Sequence, residues 1–194
     1  GARARARLSR LGGSIMAPGV WEAMQDAGRA YLDMGELHGR AGERIAELTR
    51  NEAAYVTSGS AAGLVLTTAA CITGTDPAKM NRLPHIHGLK NEIIIHRFQR
   101  NHYDINIRQT GAQLVEIGNH RTTHPWELEE AFGERTAAVM YFPGRYLGAN
   151  ILSLEKVIEI AKGRNVPVIV DAAAQLPPAE NFWAYSEMGA DMVI

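Results

Sequence analysis

The sequence holds one cysteine, Cys71, so no disulfide can form within the chain, which fits a reducing compartment such as the cytoplasm. Cys71 sits in an apolar helical run and reads as a small buried hydrophobe rather than a nucleophile. Long hydrophobic runs are absent. The longest, Ala61 to Ile72, is broken by Gly63, Thr67 and Thr68 and is too short to span a bilayer. Neither sign of charge is in excess. A formal net charge of -1 gives no general pull towards nucleic acid or acidic membranes. The chain shows no secretory signal, no internal repeat, and no low-complexity segment beyond its first ten residues. His85 and His87 form a close pair, but no further ligand follows at matching spacing, so no metal is expected.

What is present reads as a soluble α/β protein with one sizeable core, at 194 residues and 46% hydrophobic content. Residues 1–15 form an N-terminal arm. Its Arg3, Arg5, Arg7 and Arg10 have no interleaved aromatics, which argues for a solvated tail over an RNA-binding arm. Residues 16–50 form a helical segment, with one helix opened by Pro18 and another predicted over about Glu36 to Arg50. Residues 51–194 form a larger domain. There, short strands are predicted at Ala53–Thr57, Glu92–His96, Gln113–Ile117, Thr136–Phe142, Val168–Val170 and Asp191–Ile194. Helices fall between most of them: after Gly59, over Trp126–Phe132, after Ser153, and over Asn181–Met188. Alternation of this kind argues for a mostly parallel sheet in a three-layer sandwich with right-handed crossovers. Both ends read as cut. Residue 1 is Gly, and the last strand has no partner element after it, so a fragment is expected.

Two stretches carry chemistry. In Val166-Pro-Val-Ile-Val-Asp-Ala-Ala-Ala-Gln-Leu-Pro-Pro178, a buried strand ends in Asp171, followed by a floor of alanines and by Gln175. Ligands of open α/β sheets sit at such strand ends. An acid there can hold a proton on the nitrogen of a flat pyridine ring, or it can simply cap the next turn. In the second stretch, Ser58-Gly-Ser-Ala-Ala62 turns directly into a helix. The backbone N–H groups of such a turn suit an anion, or form an N-cap with no ligand. The stretch has neither a Walker lysine nor the glycine pattern of a dinucleotide site. A third stretch, Arg97 to Ile107, follows a strand and is rich in Arg97, Arg100, His102 and Tyr103. A ring-binding acid and a phosphate turn together match the two ends of pyridoxal 5'-phosphate (PLP).

Here the sequence resembles fold-type I PLP enzymes, in the group similar to bacterial L-seryl-tRNA(Sec) selenium transferase (selenocysteine synthase). Within that group it is similar to small-molecule members of the D-glucosaminate-6-phosphate ammonia-lyase type. The residues are Leu11-Gly-Gly-Ser14, Glu52 to Ala62, Ala69 to Gly74, Trp126 to Glu129, Glu134 to Ala138, and Val166 to Pro178. The resemblance implies the large domain of that fold. It implies that Gly59, Ser60 and Ala61 hold the phosphate and that Asp171 pairs with the pyridine nitrogen. Ala173 would lie under one ring face, His102 would stack on the other, and Gln175 would reach the ring hydroxyl. Gly12 to Ser14 and Arg97 or Arg100 would face the substrate. The family's Schiff-base lysine is expected after Ile194, since Lys79, Lys90, Lys156 and Lys162 lack its context. The chain alone would then have no catalytic residue and no turnover. The implied activity is a lyase or dehydratase on a small amino acid or amino sugar acid, in a homo-oligomer, dimer or higher. The alternatives are a selenocysteine synthase-like transferase on seryl-tRNA, a racemase, or an inactive fragment or scaffold.

Overall fold

A computed structural model describes residues 13, 15–144 and 150–194. The basic arm and Ser14 therefore lie outside the described residues. Helices α1 (Pro18–Ala27) and α2 (Met34–Thr49) come first. Asp33 caps α2 by accepting from the Glu36 amide at 3.0 Å. Next come α3 (Ser60–Thr73) and a short α4 (Pro77–Met80), the latter capped by Asp76, which accepts from the Ala78 amide at 2.9 Å. The remaining elements alternate: β1 (Glu92–His96), α5 (Asp104–Arg108), β2 (Gln113–Ile117), α6 (Pro125–Ala131), β3 (Thr136–Tyr141), α7 (Leu154–Lys162), β4 (Val168–Val170), α8 (Ala184–Met188) and β5 (Met192–Val193).

All five strands pair in parallel, in the order β2-β1-β3-β4-β5. The three central strands, β1, β3 and β4, are short runs rich in Ile, Val and Ala and are buried on both faces, as a sheet covered by helices requires, while the edge strands β2 and β5 are partly exposed. Side-chain alternation divides the core in two. Ile94, Val139, Tyr141, Val168 and Val170 meet Leu128 of α6 and Val157, Ile158 and Ala161 of α7. Ile93, Ile95, Ala138, Met140 and Ile169 meet Leu64 and Ile72 of α3 and Ile107 of α5. The result is three layers. Cys71 packs against the second cluster, where burial, and to a lesser degree Asp191, pushes its thiol up to about 12.

One strand expectation fails. Ala53–Thr57 joins no strand of the sheet. Its β-like composition is committed to α2 instead. The Ala54 carbonyl lies where a Cβ on Gly42 would collide with it, and the Tyr55 ring stacks on His38 at 5.0 Å and 20°. The phosphate-turn candidate is therefore positioned by helix packing, not by a strand end.

Candidate active site

Strand β4 is three fully buried residues, and its ladder passes straight into the acid. The Asp171 N–H donates to the Tyr141 carbonyl at 2.9 Å. The Asp171 carboxylate turns back and accepts from the Ala173 N–H at 3.1 Å. Burial raises its pKa, which the Ala173 hydrogen bond opposes, and no cation among the described residues offsets the cost. Ala173 itself is exposed beside it. Gln175 anchors the end of this floor: its Nε2 donates to the Pro143 carbonyl at 2.7 Å, and its own carbonyl accepts from Asn181 at 2.6 Å.

Gly59 opens α3 with φ 134 and ψ 173, a backbone state that suits only glycine, and nothing lies within 4 Å of where its Cβ would be. Thr57 fixes the turn. Its hydroxyl donates to the Gly59 carbonyl at 2.8 Å and accepts from the Gly59 N–H at 3.3 Å. Among the described residues, no backbone carbonyl takes the amides of Ser60, Ala61 or Ala62. They face outwards at the positive end of a 14-residue helix.

The two features meet through one residue. Gly63, one helical turn beyond Gly59, is packed against the Ile194 side chain, and the Ile194 carbonyl accepts from the Ala172 N–H at 2.8 Å. The acid and the open amides are thus tied to the same end of the same strand, β5.

At the end of β1, a 3₁₀ turn over Arg97–Gln99 leads to His102, which is exposed with its ring 4.0 Å from that of Tyr103. Arg97 and Arg100 sit on carboxylates. Arg97 Nε donates to Glu116 at 2.8 Å, and Arg100 binds both Glu116 and the buried Asp104. Two residues at this edge escaped the sequence reading. His96 is fully buried, neither ring nitrogen makes a well-formed hydrogen bond among the described residues, and its ring meets Tyr141 edge-on at 5.6 Å. Burial lowers its pKa to about 4, against weaker opposing effects of Gln99 and Glu127. Gln99 is buried and accepts from the Phe142 N–H at 3.1 Å. A usable signal existed for His96, because strand alternation puts it on the inward face of Ile94.

Elsewhere, a groove of about 660 Å³ runs between α2 and the 52–55 segment, lined by Gly35, His38, Gly39, Gly42 and Tyr55. It contains none of the candidate site residues. No group of three or more His, Cys, Asp or Glu side chains able to hold a metal ion occurs among the described residues. No helix among them is long and apolar enough to cross a membrane.

No protein-family model matches the chain. It is 33% identical over 193 residues to D-glucosaminate-6-phosphate ammonia lyase of Salmonella typhimurium, covering 97% of this chain and 51% of that enzyme. It is 35% identical over 198 residues to 5'-C-glycyluridine monooxygenase-decarboxylase of a Streptomyces species, covering 98% of this chain and 49% of that protein. The solved structure of D-glucosaminate-6-phosphate ammonia-lyase superposes with a TM-score of 0.89 at 32% identity, over 97% of this chain and 51% of that one. The chain is homologous to these enzymes. Its α/β fold is similar to that of PLP fold-type I enzymes.

A more distant likeness, at 15% identity and a TM-score of 0.60, to the SepCysS–SepCysE N-terminal domain complex shows the fold alone, over 92% of this chain and 47% of that one. The chain spans about half the length of the curated relatives it matches.

Proposed function

We propose that the intact protein is a PLP-dependent lyase that removes ammonia from a small amino acid or amino sugar acid. One observation carries this reading. Asp171 is a half-buried carboxylate whose pKa burial raises, with no cation beside it among the described residues, tied through Ile194 to the outward-facing amides at the start of α3. A carboxylate that burial partly desolvates is costly unless a positive group comes to it. PLP fits both ends of this arrangement, a protonated ring nitrogen for Asp171 and a phosphate for the amides of Ser60 and Ala61. The homology to an ammonia-lyase supports the reaction class.

Bound PLP supplies an electron sink for charge developing beside the substrate's amino carbon. Asp171 would keep the proton on the ring nitrogen, which maintains that sink. Gly59, with no side chain, leaves the phosphate room beside the helix start. The exposed Ala173 would offer a small surface to one ring face, and His102 would cover the other. In this reading Gln175 keeps its acceptor oxygen for the ring hydroxyl, because Nε2 is held by Pro143. Arg97, the more exposed of the two arginines, would be the one able to turn to substrate.

A cytoplasmic homo-oligomer is part of the proposal. The lone cysteine supports the compartment. Helix α1, which buries no residue and exposes Val20, Trp21 and Met24, supports a covering copy.

The test is the absorption spectrum of the full-length protein with added PLP, followed by ammonia release from D-glucosaminate 6-phosphate and from a panel of β-hydroxy amino acids. A bound-cofactor band in the near-ultraviolet to violet, with ammonia from one of these substrates, is expected. Protein that takes up no PLP would overturn the reading.

A further inference from the structure

We propose that Gln99 and Gln175 act together as positioning residues, a two-carboxamide clamp on Phe142–Pro143 that sets the spacing between Asp171 and the His102 turn. The inference rests on the PLP reading of those two residues, and it concerns what holds them apart.

Strand β3 is the spine between them. Its backbone ladder to β4 ends where the Asp171 N–H meets the Tyr141 carbonyl. Its ladder to β1 ends at Ile95 and Met140. One step further, the backbone groups of β3 would have no strand to bond. Strand alternation sends Phe142 N–H towards β1 and the Pro143 carbonyl towards β4. Each meets a glutamine side chain instead. Gln99 Oε1 accepts from Phe142 N–H at 3.1 Å, and Gln175 Nε2 donates to the Pro143 carbonyl at 2.7 Å. The two side chains thus continue the sheet by one rung on each side, where backbone pairing has stopped.

Each glutamine also belongs to a segment with a site residue on it. Gln99 precedes His102 by one short turn, and its carbonyl accepts from Asn101 Nδ2 at 3.1 Å, while Asn101 Oδ1 accepts from Tyr103 N–H at 2.8 Å. Gln175 closes the floor after Asp171, its N–H donating to the Ala172 carbonyl at 2.8 Å. A flat ring fits between an acid on one strand end and a histidine on another only if those ends keep their separation. A shift of about 1 Å in a site of this kind is enough to lose much of its binding and rate. The polarity of each contact is distinct. Gln99 must accept, and Gln175 must donate, so a single substitution can break either without changing size.

The experiment compares wild type, Q99M, Q175M, Q175E, the double methionine variant and Q99E in the full-length protein. Three quantities are read: PLP affinity by absorbance titration, visible circular dichroism of the bound cofactor, and the melting temperature without PLP. Methionine keeps length and volume but cannot make either hydrogen bond. Each methionine variant is expected to weaken PLP binding about tenfold and to reduce the visible dichroic band. The double variant is expected to be little worse than the poorer single one, because one broken arm already frees the spacing. Q99E keeps an acceptor for Phe142 N–H and is expected to recover most of the band. Q175M also removes the acceptor proposed for the ring hydroxyl, so the half-buried Q175E, which keeps an acceptor but cannot donate to the Pro143 carbonyl, carries the test if Q99M fails to fold. Wild-type affinity and dichroism in Q175M and Q99M would overturn the clamp while leaving the PLP reading intact. Affinity that falls only in step with melting temperature, with an unchanged band, would mark ordinary structural bonds and overturn it too. Wild type that takes up no PLP would remove the parent reading, and the clamp with it.

Discussion

Gly63 of α3 lies against Ile194, and a Cβ on this glycine would sit 2.8 Å from Ile194 Cγ2. The methyl belongs to a β-branched side chain at the end of β5, so it cannot swing away freely. Glycine in mid-helix costs about 1 kcal/mol against alanine, and here that cost is the condition for close approach of helix to strand. G63V is expected to destabilise the protein by about 1–3 kcal/mol through overpacking. It should also move the start of α3 away from Asp171 and weaken PLP binding. Urea unfolding and a PLP titration on the same variant check both. Unchanged affinity would show that α3 does not share a ligand with Asp171.

Asp171 gives a pH prediction with a definite sign. Its pKa is raised by burial, with no cation among the described residues to offset it. Folding therefore favours its neutral form. In cofactor-free protein that contribution is present below the unfolded value of about 3.9 and is lost as pH rises through the raised folded one. D171N removes the charge, so without PLP it should melt no lower than wild type at about pH 8 and should lose part of the pH dependence. With PLP present the order should reverse, since only the carboxylate can pair with a protonated ring nitrogen. Melting curves at two pH values, with and without PLP, test this. An apo D171N protein much less stable than wild type would show that the acid serves the fold alone.

Much of the local structure around the candidate residues was legible because its elements are local. The run Glu92-Ile-Ile-Ile-His96 can only be a buried strand in a chain of this kind, and Val168 to Asp171 shows both the strand and the acid at its end. The same local reasoning misplaced Ala53–Thr57, because nothing in five residues says that Tyr55 will stack on His38 rather than pair with a strand. Gln99 was invisible for a related reason. Its meaning depends on Phe142, 43 residues away, and on the point at which β3 loses its backbone partner. Arg97 and Arg100 looked available until Glu116 of β2 was brought beside them.

That cluster separates the two arginines. Arg100 holds Asp104, whose side chain is only 4% exposed. R100A would leave a buried carboxylate unpaired and is expected to cost about 3 kcal/mol. Arg97 is 59% exposed and makes a single contact with Glu116, so R97A should change stability by no more than about 0.5 kcal/mol. If Arg97 turns to substrate, R97A should instead raise KM while the melting temperature stays fixed. Equal stability losses in both variants would contradict the burial difference between the two pairs.

His96 makes the last prediction, and it is independent of any cofactor. The imidazole is fully buried with neither nitrogen in a well-formed hydrogen bond among the described residues, and burial pushes its pKa down to about 4. In the unfolded chain it titrates at about 6.5. Between those values the unfolded chain binds a proton that the folded protein refuses. The contribution is therefore fully present above about pH 6.5 and is lost as pH falls towards 4, by up to about 3 kcal/mol in all. Carboxylates titrate in the lower part of the same window, so the wild-type curve alone does not isolate the histidine. H96L does, because leucine fills much of the ring's volume and carries no proton. The difference in unfolding free energy between wild type and H96L, measured by urea titration at about pH 7, 5.5 and 4.5, should shift steadily in favour of H96L as pH drops. A difference that stays constant across that range would mean that His96 is either hydrated or already protonated in the folded protein, and that the end of β1 is not the dry environment described above.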